Sequence, residues 1–522
     1  MCKVLRAIFS YVRLFIDYVI DFFFSLYWEG KKKPIPDLQK KYAYLADSAC
    51  TLARKIKNKE LKSEELVRAV IERIKEVNPV LNAVVCNRYE EALAEAREVD
   101  RLIAGGLSPK VEEEKPFLGV PFTTKESQAV KGMNLTMGLW ARRNERADED
   151  SEAVVLLKKA GAIPLACTNL PELLIWPETR NPVYGTTNNP HHTGRSPGGS
   201  SGAEAALMAT YATPISLCSD IGGSIRIPAF FCGMFGHHPT ADTTNLRGVF
   251  YRKGDEGPSM FALGFITKHV EDLAPLTKVV AGDKAGLLNL DRKVDIKNLK
   301  YYYMETSYDC QVSPIRSELK AVMQRVVSKI RRDVTTAANP PQPYHHEGFN
   351  YMYRLWLYWM NKEPHNYSSM YNNGKSEPNA IVELIKKMLF MSRHCFFTIM
   401  QLLESQVLPS IKADWAEKLT KDLKDDLFSK LGNDSVLLLP CSPYATPYHY
   451  TFYLRPYNSA YFSIVNVLKS PATQVPIGVN KKGLPLGIQV VAAPHNDALC
   501  LAVAKYLERE FGGAVMACRI RQ

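Results

Sequence analysis

Residues 194–228 read GRSPGGSSGAEAALMATYATPISLCSDIGGSIRIP, and this stretch decides the fold. Two turns rich in glycine and serine flank about twenty residues whose pattern predicts a helix of small residues followed by a strand. So much glycine costs conformational entropy unless the turns pack tightly or take part in chemistry. The stretch therefore predicts either two tightly packed structural turns or a functional site.

Helical and strand patterns alternate on both sides of this stretch. The alternation predicts an α/β fold, which we expect to form one large domain over residues 34–522. Residues from about 290 to 430 are more helical and more aromatic, so we predict an insertion or lid there. Elsewhere the predicted helices are 63–77, 90–103, 152–160 and 496–510, and the predicted strands are 83–85, 118–124, 162–166, 473–479 and 487–491.

The N-terminal residues 8–28 are overwhelmingly apolar, and their length suits a helix that spans a bilayer. The charges among them argue against a simple lipid-exposed span. Helical spacing collects the polar residues into one narrow stripe. The polar positions are Ser10, Arg13, Asp17, Asp21 and Ser25.

An interfacial helix, or a span that oligomerises through its polar stripe, would account for both features. Lys31, Lys32 and Lys33 follow the apolar residues and would form a basic rim for anionic lipid. We therefore predict that residues 1–33 are a hydrophobic segment that attaches the protein to an intracellular membrane. The alternative is an amphipathic helix that docks on its own domain.

Composition excludes several classes of function. The net charge of +12 is spread among acidic residues, which argues against a nucleic-acid surface. Eleven cysteines occur without a C-x-x-C pair, so neither a disulfide framework nor a zinc ribbon is predicted. The histidine pairs at 191–192 and 345–346 lack the spacing of metal ligands. We predict no metal and no cofactor.

Four interpretations compete for residues 194–228. An α/β-hydrolase elbow is disfavoured, because Pro197 removes the N–H after Ser196 and the residues before Ser200 form a loop instead of a strand. A phosphate cradle is disfavoured because neither G-x-G-x-x-G nor Gly-Lys-Ser/Thr occurs. Structural packing and a hydrolase assembled from several loops stay open.

The hydrolase interpretation needs an anion-binding turn and a base. Two consecutive glycines before Ser224 would leave the N–H groups of residues 221–224 free to form such a turn, beside a serine nucleophile. Lys125 ends a strand that is otherwise apolar or hydroxyl-bearing. A buried lysine there would lose its charge and serve as base, whereas a solvated lysine would have no role.

Three segments together resemble the amidase signature family: GGSSG at 198–202, DIGGSIRIP at 220–228 and GVPFTTK at 119–125. The spacing of twenty-four residues between Ser200 and Ser224 is also similar to that family. The resemblance extends from about residue 45 to the C-terminus, and within the family it is strongest to the fatty acid amide hydrolases. It implies the amidase-signature fold, a central mixed twisted sheet with helices on both faces.

The resemblance also implies roles for individual residues. Ser224 would be the nucleophile, Lys125 would be the neutral base, and Ser200 would bridge the two through a cis peptide. Ser201, Asp220 and Arg226 would support this network. The oxyanion hole would be formed by the backbone N–H groups of Ile221, Gly222, Gly223 and Ser224.

A lipid amide is the predicted substrate, because attachment to a membrane favours a substrate that partitions into lipid. Residues 351–360 and 388–400 would line an acyl channel, make a second membrane contact or form helical core. Two alternatives stay open: hydrolysis of small or aromatic amides or of lipid esters, and a catalytically silent lipid-binding or scaffold protein. A homodimer also stays open.

Overall fold

The computed structural model describes residues 3–365 and 367–521, with the backbone alone for residues 3–7. The predicted attachment segment 1–33 thus begins with two residues outside the described part. The predicted domain 34–522 likewise includes Asn366 and Gln522, which lie outside it.

Of the thirteen strands found in the described residues, eleven form one mixed sheet in the order β1-β3-β2-β6-β8-β7-β12-β13-β11-β9-β10, and β4 pairs with β5. The strands are β1 (Val84–Asn87), β2 (Pro121–Lys125), β3 (Ile163–Thr168), β4 (Arg180–Asn181), β5 (Gly185–Thr186), β6 (Ile215–Asp220), β7 (Phe235–His238), β8 (Ala262–Thr267), β9 (Lys300–Tyr303), β10 (Gln342–Pro343), β11 (Ser435–Pro440), β12 (Ala472–Val479) and β13 (Pro485–Val491).

The α-helices of the described residues fall between these strands and at both ends of the chain. They are α1 (Lys3–Trp28), α2 (Ala49–Lys57), α3 (Ser63–Leu81), α4 (Tyr89–Ala104), α5 (Pro109–Glu114), α6 (Glu152–Lys159), α7 (Gly202–Met208), α8 (Arg226–Cys232), α9 (Leu273–Ala281), α10 (Ser317–Asp333), α11 (Met352–Met360), α12 (Tyr367–Met370), α13 (Ala380–Met388), α14 (Phe396–Val407), α15 (Ala413–Leu431), α16 (Ala460–Leu468) and α17 (Asp497–Phe511).

The central strands are covered on both faces. Every residue of β2, β3, β6, β8, β11 and β13 is buried. Since successive side chains of a strand point to opposite faces, burial of all of them requires a layer on each side of the sheet. The predicted α/β fold with a mixed, helix-covered sheet is confirmed.

The predicted helices and strands are found, with shifts of a few residues at their ends. The predicted helix 63–77 extends further than expected, because Asn78-Pro79 lies inside the last turn of α3. The helix ends instead at Asn82, which adopts a left-handed conformation with φ of +52°. Within residues 290–430, β9 joins the central sheet beside β11, so this region is partly built into the main domain.

Helix α1 docks on the domain through its polar stripe. Asp21 accepts hydrogen bonds from Arg455 at 2.7 Å and from Arg316 at 2.5 Å, and Asp17 is 1% exposed beside Arg455. The opposite face is apolar and exposed, as at Phe15. A helix on the surface of a globular domain ordinarily packs its apolar face against the domain. Helix α1 instead packs its polar face against the domain and exposes its apolar face.

None of the helices described in residues 3–365 and 367–521 combines the length and apolar character needed to cross a membrane. The spanning interpretation of the N-terminal segment is therefore not supported.

Candidate active site

The sheet brings the predicted site residues together at one edge. Strands β2 and β6 are parallel neighbours, so their carboxyl ends lie side by side. Lys125 is the last residue of β2 and Asp220 is the last residue of β6. Open α/β sheets commonly bind ligands outside the carboxyl ends of their strands.

Lys125 is fully buried at this edge. Its Nζ atom lies 2.6 Å from Ser200 Oγ and 3.1 Å from Ser219 Oγ. Burial lowers the pKa of Lys125 to about 7, although Cys218, Asp220 and Glu204 act in the opposite direction. The amine is thus placed to exist without charge near neutral pH, and it does not point into solvent.

Ser200 occupies the turn that leads into α7. The peptide bond between Gly199 and Ser200 is cis, as the family resemblance implied. Ser201 contributes through its backbone, because its N–H donates to the Ser224 carbonyl at 3.2 Å. The Ser201 hydroxyl is buried and has no hydrogen-bond partner among the described residues. The contact between Ser201 and the Ser224 turn is a main-chain hydrogen bond, and a supporting role for Ser201 stays a prediction.

The turn between β6 and α8 carries Ser224, which is 8% exposed. Gly223 adopts φ of +109°, and a Cβ atom there would lie 2.5 Å from Phe462 Cβ. Only glycine satisfies both conditions. Within residues 3–365 and 367–521, no hydrogen bond joins Ser224 Oγ to Ser200, although the two turns meet where the Ser201 N–H donates to the Ser224 carbonyl.

The predicted oxyanion hole differs at one position. The Gly223 N–H donates to Asp220 Oδ1 at 2.7 Å, so it is already satisfied by a carboxylate. The N–H groups of Ile221, Gly222 and Ser224 take no part in the hydrogen bonds found in the described chain. Three of the four predicted donors are therefore available to a ligand.

Asp220 and Arg226 form the predicted pair, with Nε 3.1 Å from Oδ2, and both side chains are fully buried. Burial opposes ionisation of Asp220 most strongly, but Arg226 and several hydrogen bonds outweigh it and hold the pKa of Asp220 well below its usual value. Arg226 also donates to the Phe462 carbonyl at 2.9 Å and to Asn466 Oδ1 at 2.7 Å. The pair thus ties the turn to α16.

Sequence reasoning missed Ser219 and Glu204, and it did not predict the contact that Trp356 makes with the turn. Ser219 contacts Lys125, and Trp356 Nε1 donates to the Ile221 carbonyl at 2.9 Å. Glu204 is fully buried behind Lys125, and burial raises its pKa to about 7. Strand β6 also contains Ser216 and Asp220, so its sequence does not single out Ser219. Trp356 belongs to the predicted aromatic region 351–360, but its hydrogen bond to a carbonyl 135 residues away had no sequence signal.

A cavity of about 310 Å³ opens at Ser224, and we call it the Ser224 cavity. Its walls come from the turn of residues 174–177 and from α8, α11, α14 and α16. They are mainly apolar or aromatic, which is typical of sites for small organic ligands. The lining residues include Trp176, Ile227, Tyr353, Trp356, Met400 and Leu403.

No group of three or more His, Cys, Asp or Glu side chains in the described part of the chain is arranged to hold a metal ion. The ten cysteines that the structure describes are free thiols.

Comparison with known proteins agrees with this geometry. The family model described as Amidase matches residues 65–501. Fatty-acid amide hydrolase 2 of Homo sapiens is 39% identical over 479 residues, which cover 90% of each chain. Fatty-acid amide hydrolase 2-A of Danio rerio is 37% identical over 479 residues, which cover 89% of each chain.

A solved structure of fatty acid amide hydrolase superposes with a TM-score of 0.72 at 20% identity, covering 91% of this chain and 87% of that one. At such identity the superposition shows the shared fold. The family match and the relatives confirm the predicted resemblance, and they show family membership in addition to the shared fold. The chain therefore belongs to the amidase family, and it is an amide-hydrolysing enzyme of the amidase signature type.

Proposed function

We propose that this enzyme hydrolyses fatty acid amides to fatty acid and amine through an acyl-enzyme on Ser224, with Lys125 as base and Ser200 as relay. One observation carries the proposal. The buried amine of Lys125 is hydrogen-bonded to Ser200, the next residue Ser201 is hydrogen-bonded to the Ser224 carbonyl, and Ser224 lines the apolar Ser224 cavity. A silent binding protein would need no such buried amine.

The reaction begins with uncharged Lys125. Its Nζ accepts the proton of Ser200 as Ser200 Oγ accepts the proton of Ser224, and Ser224 Oγ attacks the amide carbon. Collapse of the tetrahedral intermediate breaks the C–N bond, and the relay returns the proton to the leaving nitrogen. Water then attacks the ester by the same route and releases the acid. The hydrogen bond between the two serines would form with substrate bound, since catalytic hydrogen bonds often tighten only then.

The N–H groups of Ile221, Gly222 and Ser224 would stabilise the oxyanion. A donor of this kind is worth about 3 kcal/mol in the transition state. The Asp220–Arg226 pair would hold the turn in place, because Asp220 fixes the Gly223 N–H and Arg226 fixes the chain at Phe462. Its effect would be one of position, since neither side chain lines the Ser224 cavity.

The acyl chain would lie in the Ser224 cavity. Trp356 and Met400 supply apolar walls there, which favours the acyl-channel interpretation of residues 351–360 and 388–400. Each buried CH₂ contributes about 0.8 kcal/mol, so long chains gain affinity over short ones. Small or aromatic amides would gain less, and lipid esters stay a second candidate because the same acyl site would accept them.

A substrate panel tests the lipid assignment. We expect kcat/KM to rise by about an order of magnitude or more from acetyl to oleoyl amides. Leu403→Trp should remove most of that rise, because the larger ring fills the cavity without touching the catalytic atoms. The matched control is Leu287→Trp, at a position 52% exposed and remote from the cavity. Equal rates for short and long amides in wild-type enzyme would refute the lipid assignment.

We further propose membrane attachment through two apolar surfaces. One is the outward face of α1 within the predicted segment 1–33. The other follows α13 at residues 388–391, where Phe390 is 97% exposed. Helix α13 packs against α14, which lines the Ser224 cavity, so the lid-like part of residues 290–430 would place the cavity beside lipid.

Vesicle cosedimentation tests this attachment. The double variant Leu389→Asp with Phe390→Asp should weaken binding to phosphatidylcholine vesicles by about tenfold or more, because two large side chains can no longer enter the bilayer. Leu287→Asp is the matched control, since it places a carboxylate at an exposed leucine elsewhere. Undiminished binding of the double variant would show that residues 388–391 do not contact the membrane.

A further inference from the structure

A second cavity, of about 870 Å³, lies between α1 and the domain, and we call it the α1 cavity. Its walls are the C-terminal half of α1, the first turns of α10, residues 444–448 and the turn that joins β12 to β13. It shares no lining residue with the Ser224 cavity. The proposed reaction therefore leaves this space without a role.

Cationic side chains predominate around the α1 cavity. They outnumber the two carboxylates, Asp21 and Glu318, by five to two. The five cations are Arg195, Arg316, Arg325, Lys481 and Lys482.

Not all of these charges are neutralised. Arg316 pairs with Asp21, and Arg195 lies 3.4 Å from Glu29. The other three, Arg325, Lys481 and Lys482, are exposed and form no ion pair within residues 3–365 and 367–521. Arg195 also has a buried Nε atom without a hydrogen-bond partner in the described chain. The cavity thus offers uncompensated positive charge to a ligand.

The same cavity has an apolar side that leads to the membrane-facing surface. Tyr18 and Phe22 line it and belong to the outward face of α1, where they are 51% and 59% exposed. Val479, the last residue of β12, is 50% exposed beside the two lysines. The cationic part of the cavity therefore adjoins an exposed apolar surface. This arrangement suits an anionic amphiphile, whose charged head would enter the cavity while its apolar tail follows the surface.

We propose that the α1 cavity binds the head group of an anionic phospholipid from the membrane to which α1 attaches. The phosphate would be held by Arg325, Lys481 and Lys482, and the acyl chains would follow Tyr18 and Phe22 into the bilayer. Three unpaired cations exceed what a single fatty-acid carboxylate needs, which favours a phosphate-bearing head group. This inference rests on the proposed membrane attachment.

Cosedimentation with two kinds of vesicle tests the site in the full chain. One kind contains phosphatidylcholine alone, and the other contains phosphatidylserine as well. Wild-type protein should prefer the anionic vesicles by about tenfold or more, since each basic residue near the surface contributes about a fivefold gain. The double variant Lys481→Glu with Lys482→Glu should lose this preference.

A variant without a change of charge separates a site from general attraction. Ala321→Trp fills the α1 cavity from the exposed side of α10 and should reduce the preference as far as the double charge variant does. The matched control is Lys159→Glu with Lys293→Glu, two exposed lysines outside the cavity, which should reduce the preference only slightly. All variants should hydrolyse a short soluble amide at the wild-type rate, which verifies folding.

Each other outcome overturns the inference in an identifiable way. Binding to neither vesicle would refute membrane attachment and this site with it. Equal binding of wild type to both vesicles would refute the site alone. If Ala321→Trp kept its preference for anionic vesicles, diffuse surface charge would explain the binding without a site. If inorganic phosphate fully competed with the vesicles, the ligand would be a soluble phosphate and not a lipid.

Discussion

Replacement of Ser224 by alanine is expected to lower kcat for an oleoyl amide by about ten-thousandfold or more, while leaving the free energy of unfolding nearly unchanged. The loss follows because the Ser224 hydroxyl stands at the Ser224 cavity, on the turn that carries the free N–H groups of Ile221, Gly222 and Ser224. Loss of a triad nucleophile typically costs this much or more, and the oxyanion hole with substrate binding supplies the residual rate. Stability should persist, since Ser224 Oγ makes none of the hydrogen bonds that hold the described fold.

A fluorophosphonate probe and a mass measurement provide the check. Wild-type enzyme should gain one adduct, located on Ser224, and the variant should gain none. Ser429→Ala, at an exposed serine on α15, is the control and should label and turn over as wild type. A Ser224→Ala protein that still hydrolyses the amide would move the nucleophile elsewhere, and an unlabelled wild type would favour a silent binding protein.

The sequence predicted which residues form the candidate site better than it predicted the contacts between them. The hydrogen bond between Lys125 and Ser200 joins residues 75 positions apart and was predicted only from the family resemblance. Local periodicity does not predict the order of strands in a sheet. The turn at 221–224 was predicted from its glycines. The hydrogen bond from the Gly223 N–H to Asp220 depends on the backbone angles of the turn, and no sequence signal predicts those angles.

The N-terminal helix also separates what local spacing predicts from what depends on residues far away in the chain. Spacing alone placed Arg13, Asp17 and Asp21 in one stripe, as the structure has them. It did not tell which surface would face the stripe. The partners of Asp21 are Arg316 and Arg455, which lie 295 and 434 residues away along the chain. Charged partners at such distances, Arg455 buried and Arg316 half-buried, turned the apolar face outward, whereas periodicity predicts only that two faces exist.

Replacement of Lys125 by methionine is expected to lower kcat by about a thousandfold or more, and to remove the pH dependence near neutrality. The reaction needs the uncharged amine, and burial lowers the pKa of Lys125 to about 7. In wild-type enzyme kcat/KM should therefore rise as the pH increases through about 7, because the amine is charged and cannot accept a proton below that value. It should reach a plateau above about 8.

A second buried lysine makes this prediction specific. Lys268 is 4% exposed, and burial lowers its pKa to about 8, but it contacts Met208 and the Thr213 carbonyl instead of a serine. Lys268→Met therefore removes a comparable buried amine and should keep both the wild-type rate and the rise near pH 7. Lys125→Arg should stay inactive at every pH, because a guanidinium does not lose its proton in this range. Activity of Lys125→Arg, or a flat pH profile in the wild type, would show that the proton of Ser224 leaves by another path.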